Sequence, residues 1–147
     1  MLRIILAVIA GYLTMAVFVF AMFSAAYLAI GTEGAFQTGS FDVSTLWIAV
    51  SVVLSVVAAV VGGWVCARIG RRRAAVIALV AVVVVLGLAV AAMEFTHSGE
   101  RVPAARSGKV SNFDAMQLAQ QPTWLTLLNP LLGAAGVLLG ARIRRAE

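Results

Sequence analysis

One short run of this chain holds side chains that could move a proton. Glu94, His97, Ser98 and Glu100 follow one another closely, and a fold that converged them would have a base, an acid and a hydroxyl nucleophile. Closeness along a chain does not converge side chains, however, and a polar run beside an apolar segment reads first as a solvated loop. His97 is the only histidine, so haem would lack paired imidazole ligands. Cys66 is the only cysteine, so no second thiol exists for disulfide chemistry, and it reads as a packing residue. Neither a glycine-rich phosphate loop nor metal-ligand spacing occurs. The expectation is a chain with no catalytic residue, no metal and no cofactor: not an enzyme.

The elements that would have to position such groups are greasy. Of the 147 residues 63% are apolar and 12% charged, against about 45–50% and about 25% in ordinary soluble domains. Residues 4–30, 46–67, 74–93 and 124–141 contain no Asp, Glu, Lys or Arg. At 1.5 Å per residue about 20 residues cross a hydrocarbon core of about 30 Å, so each stretch is long enough or nearly so. The run Val82–Val85 favours strands in water, but a backbone in lipid must satisfy its own hydrogen bonds, and these runs lack the alternation of a barrel strand. The expected fold is all-α, an integral membrane four-helix bundle forming one domain over 1–147. Transporters driven by protons or ions usually keep an ionisable group within the membrane. Here the spans have none, and Glu33 lies beyond the first helix, unlike the intramembrane glutamate of small multidrug transporters.

Basic residues fix the expected orientation. Arg3, the cluster Arg68, Arg71, Arg72 and Arg73, and the tail Arg142, Arg144 and Arg145 all fall on one side after four crossings. Both termini are then expected in the cytoplasm. The first apolar run is longer than the h-region of a signal peptide, about 7–15 residues, and is read as a retained helix. The net charge of +5 sits at helix ends rather than on a soluble face, so the expected partners are the bilayer and its anionic headgroups and not nucleic acid. Trp47, Trp64 and Trp124 read as interfacial anchors.

The outer loop 94–123 is long for a bundle connection. Its first part, 96–109, reads as irregular. Over 111–121 a short helix is expected, with Ser111 and Asp114 in capping-box spacing and Phe113, Met116 and Ala119 on one face. It would lie on the membrane surface or the bundle top until Pro122 ends it.

An internal echo follows from spacing alone. Ser55, Ala59, Gly62 and Cys66 precede Ala67, Arg68 and Ile69, while Asn129, Gly133, Gly136 and Gly140 precede Ala141, Arg142 and Ile143, at a constant offset of 74. Phe41–Asp42 and Phe113–Asp114 match at 72. Either a two-helix hairpin has been duplicated in tandem, or small residues and arginines simply recur as they do in membrane helices. Both quartets mark helix-packing faces, because membrane helices associate where small residues let backbones approach. They serve packing within the chain or contacts with itself or another membrane protein. Asn129 and Pro130 interrupt the last helix: Pro130 removes a backbone donor, and Asn129 could bond Ser51 or Ser55. The pair marks a kink or the wall of a polar cavity.

The run from Gly62 to Arg73 (GGWVCARIGRRR) and that from Asn129 to Arg145 (NPLLGAAGVLLGARIRR) resemble those of small four-helix bacterial inner-membrane proteins of unassigned function. The resemblance implies location and fold, not activity. The expected role is a non-enzymatic, self-assembling or accessory component of a larger membrane complex. The alternative is a small-solute transporter or channel formed on oligomerisation, with its path beside Asn129 and Pro130.

Overall fold

The computed structural model describes residues 1–97 and 110–146, apart from the side chains of His97, Arg145 and Ala146. Five helices follow in chain order: α1 (Leu2–Ala35), α2 (Thr45–Gly70), α3 (Arg73–His97), α4 (Asn112–Leu118) and α5 (Thr123–Ala146). All but α4 are long and apolar enough to cross a membrane, so the chain has the all-α, four-helix architecture of a multi-pass membrane protein. Val82–Val85 lie within α3. Most helices outrun their apolar stretches: α3 continues through Glu94, which was expected in the loop, and α5 continues past Ala141. Hydropathy marks where lipid ends, whereas a helix persists for as long as its backbone pairs internally.

Local chemistry sets the ends. Within α1 the helical dihedrals break at Gly31, with φ 75° and ψ 173°, a region open to glycine. Ser44 caps α2 by accepting from the Trp47 amide at 3.0 Å, and its hydroxyl donates to the Gly34 carbonyl. At the far end of α2 the left-handed residue is Arg71, φ 52° and ψ 8°, rather than Gly70. Glycine commonly takes that cap position, but Gly70 is held within the helix by close approach: a Cβ there would come 2.5 Å from that of Ala75 and 3.2 Å from that of Ala7.

In the bundle α2 lies between α1 and α5, and α5 between α2 and α3. The second and third spans touch, as their short connection requires, but each packs more extensively on α5. The α3 helix also meets α1, whereas α1 and α5 have no contact among the described residues. The main core joins Ala7, Ala59, Cys66, Ala75, Val76, Leu79, Val137 and Ala141. Small side chains dominate it, so cohesion comes from backbones packed closely rather than from large apolar groups withdrawn from solvent. Large side chains face outward instead, among them Leu13, Val17 and Phe20 of α1 and Ile77, Val85 and Leu88 of α3. A second core of Tyr27, Ala35, Phe36, Phe41, Val43 and Ala115 closes the loop end.

Candidate functional site

The two small-residue quartets meet, though not as single stripes. On α5, Gly136 faces Ala59 of α2, and a Cβ on Gly140 would strike the Val60 carbonyl and come 2.9 Å from the Trp64 amide nitrogen. Gly63 in turn seats the backbone of Val137. These approaches bind α2 to α5 without a large side chain between them. Gly62 and Cys66 point elsewhere, towards α1: a Cβ on Gly11 would lie 2.9 Å from both the Gly62 oxygen and the Cys66 Cβ. Cys66 is buried there, its thiol 3.5 Å from the Ala75 carbonyl. Gly133 faces Val83 of α3, and Ser55 is half-buried. Each quartet thus serves two neighbouring helices.

Pro130 is buried within a helix that continues through it. Its ring seats on α3 at Gly87, where a Cβ would come 2.7 Å from the proline Cγ. Of the two bonds open to Asn129, that to Ser51 is not formed: Ser51 Oγ is buried with no partner among the described residues. Asn129 is half-buried beside the proline.

At the loop end an ordered cap covers the bundle. Tyr27 Oη donates to the Val110 carbonyl at 2.8 Å, and the Val110 amide donates to Thr32 Oγ1 at 3.4 Å. A phenol has one proton to give, so the 3.0 Å contact between Thr32 Oγ1 and Tyr27 Oη is donated by the threonine, and the three groups form a closed ring. Ser111 accepts from the Asp114 amide at 3.2 Å and donates to its carboxylate at 2.7 Å. The short helix is therefore capped as its spacing requires, but it stops at Leu118 rather than at Pro122. Gln120 has already turned to pair with the first loop, donating to the Phe41 carbonyl and accepting from the Val43 amide. The buried residue of α4 is Ala115, while Phe113 and Met116 are exposed; Ala119 packs on the second core. Asn112 reaches Ser24 of α1 at 3.0 Å. Phe41 is buried and Phe113 exposed, so their match in sequence is not a match in environment.

Below α4 a cavity of about 160 Å³ is bordered by Phe23, Tyr27, Phe36 and Trp47. Edge-on ring contacts at 6.0 and 6.1 Å join Trp47 to Phe23 and Tyr27. That tryptophan is part of an aromatic wall, whereas Trp124 is exposed and Trp64 lies under the Arg68 guanidinium at 5.0 Å.

The opposite end is basic. A cavity of about 460 Å³ is lined by Arg71, Arg72, Arg73 and Arg144 over Ala67 and Val76. A smaller one of about 260 Å³ adjoins it, bordered by Met1, Arg3, Ile4, Gly70 and the same Arg71 and Arg72. Arg3 is committed, its Nε donating to the Ile69 carbonyl at 2.9 Å. Arg144 Nε is buried with no acceptor among the described residues. Arg142 is exposed outside both cavities, and the Arg145 side chain lies outside the described residues.

Of the acid–base run, Glu94 alone has a described side chain. Glu94 sits on α3 and accepts from Thr126 of α5 at 2.9 Å. Ser98 and Glu100 lie outside the described residues, as does most of the stretch 96–109 that was expected to be irregular. No group of three His, Cys, Asp or Glu that could hold a metal occurs among the described residues. The sequence reading missed Gly11, Gly87 and the Tyr27–Thr32 pair; a glycine on every span was the one available signal for the first two. No protein-family model, curated protein or solved structure matches the chain.

Proposed function

We propose that this chain is a non-enzymatic, multi-pass component of a bacterial inner membrane, with both termini and the arginine-rich end in the cytoplasm, working as an accessory subunit of a larger membrane assembly. One observation carries the reading. The apolar stretches 4–30, 46–67, 74–93 and 124–141 hold no carboxylate, histidine, lysine or arginine, and the main core between them is built chiefly of small apolar side chains and close glycine crossings. Proton- and ion-coupled machines place ionisable groups there; a subunit that only packs needs none.

The orientation rests on the arginine distribution and the positive-inside rule. Gly63, Gly136 and Gly140 offer no face to a partner, because they bind α2 to α5 within one chain. A partner would instead meet α1, whose only buried residues along the helix are Ala7, Gly11, Tyr27 and Ala35. The solute-path reading gains nothing from Pro130, which is packed against Gly87.

The test is purification of the full-length chain from native membranes in a mild detergent, with mass spectrometry of what accompanies it. A stoichiometric membrane partner supports the proposal. Solute flux through proteoliposomes containing the chain alone overturns it.

A further inference from the structure

We infer that the larger arginine-lined cavity is a binding site for a phosphate-class anion, supplied either by the phosphodiester of an anionic phospholipid headgroup or by free inorganic phosphate. The site rests on the membrane reading only for its lipid source; the anion chemistry stands on the cavity itself.

Four guanidinium side chains from two separate segments line one space: Arg71, Arg72 and Arg73 from the α2–α3 turn and Arg144 from the last turns of α5. Like charges brought together repel, and none of the four has a carboxylate partner among the described residues. Arg144 adds a second, independent sign. Its Nε is buried with no acceptor, and a desolvated donor left unmade is costly, more so when charged. An anion in the cavity answers both deficits.

Helix geometry adds to the same field. The α3 helix begins at Arg73 and has no acidic residue in its first turn, so the positive end of its dipole, which favours anions and disfavours arginines, goes uncompensated within the element. Arg71 meanwhile occupies the left-handed cap position that Gly70 cannot leave the helix to fill. Planar forks of this kind match phosphate oxygens in pairs. Ala67 and Val76 supply an apolar wall on the side of the spans, as a headgroup with its chains in the bilayer would require, and basic pockets between membrane helices take such headgroups.

The experiment titrates the full-length chain in a neutral detergent with phosphatidylglycerol, with phosphatidylcholine and with inorganic phosphate, read by native mass spectrometry and by thermal shift. Removing one charge-assisted contact is expected to weaken binding about tenfold in Arg144→Gln and, separately, in Arg72→Gln. Arg142→Gln removes the same charge from an exposed position of α5 outside the cavity and is expected to change nothing. Retention of phosphatidylglycerol over phosphatidylcholine identifies a lipid source, while a shift with inorganic phosphate alone identifies the free anion. Equal losses in Arg142→Gln and Arg144→Gln, or no binding of either phosphate probe, overturn the site. Membrane fractionation of cells tests the other reading separately, since a chain found outside the membrane would sink that reading while leaving the anion titration interpretable.

Discussion

Gly136 of α5 rests on Ala59 of α2 so closely that a Cβ added to the glycine would come 2.5 Å from the alanine Cβ and 3.1 Å from the Val56 carbonyl oxygen. This contact joins the two helices whose sequences echo each other, and it does so between helices running in the same direction. In lipid, apolar side chains gain little by leaving the bilayer for one another, so such approaches carry the association.

The crossing ranks three glycines. Gly140→Ala drives a methyl into the Val60 backbone, which cannot rotate away, whereas Gly136→Ala meets mainly the Ala59 side chain. Losses of about 1–3 kcal/mol are expected for overpacking of this kind, with Gly140→Ala the worse. Gly133→Ala meets only a Val83 methyl and gains roughly 1 kcal/mol of helix propensity, so it is expected near neutral. Unfolding measured in detergent for the three variants checks the order, and an equal effect at all three would refute the assigned contacts.

The seat of Pro130 on Gly87 predicts a coupling. Gly87→Ala alone forces its methyl to 2.7 Å from the proline Cγ and should destabilise the bundle. In a Pro130→Ala background the same substitution should be tolerated, giving an interaction energy of about 0.5–3 kcal/mol for residues in contact. A double-mutant cycle reads it directly, and additive effects would mean that the ring does not seat there.

Much of this fold is written in composition. Uninterrupted apolar runs disclosed the four spans, and Ser111 with Asp114 disclosed the short helix, because lipid thickness and capping are local constraints. Partners across the bundle were not legible. Ala59 and Gly62 lie three residues apart, yet one faces α5 and the other α1, and only the placement of both neighbours decides that. Phe113, Met116 and Ala119 were legible as one face of α4, but not that Ala115 would be its buried residue or that Asn112 would reach Ser24. The arginine cavity was visible only as a charge pattern, since Arg144 joins the α2–α3 turn solely through the fold.

Tyr27 holds the cap through its ring of hydrogen bonds with Thr32 and Val110. Tyr27→Phe keeps the aromatic contacts with Trp47 and Phe36 and removes only the hydroxyl, at an expected cost of about 0.5–1.5 kcal/mol. The loss should be local. Hydrogen exchange is expected to quicken across Val110–Leu118 and to stay unchanged in α2, and uniform protection across the cap would show that the ring does not hold it.

Sidedness is the most direct test of the whole account. With Cys66 replaced by alanine, single cysteines are placed at Thr38, exposed in the first loop, and at Arg142, exposed at the basic end, and intact cells are treated with a membrane-impermeant thiol reagent. Thr38→Cys should label at once and Arg142→Cys only after the membrane is opened. Labelling of Arg142→Cys in intact cells, with Thr38→Cys protected or equally reactive, would contradict a four-span chain held by its arginines on the inner side.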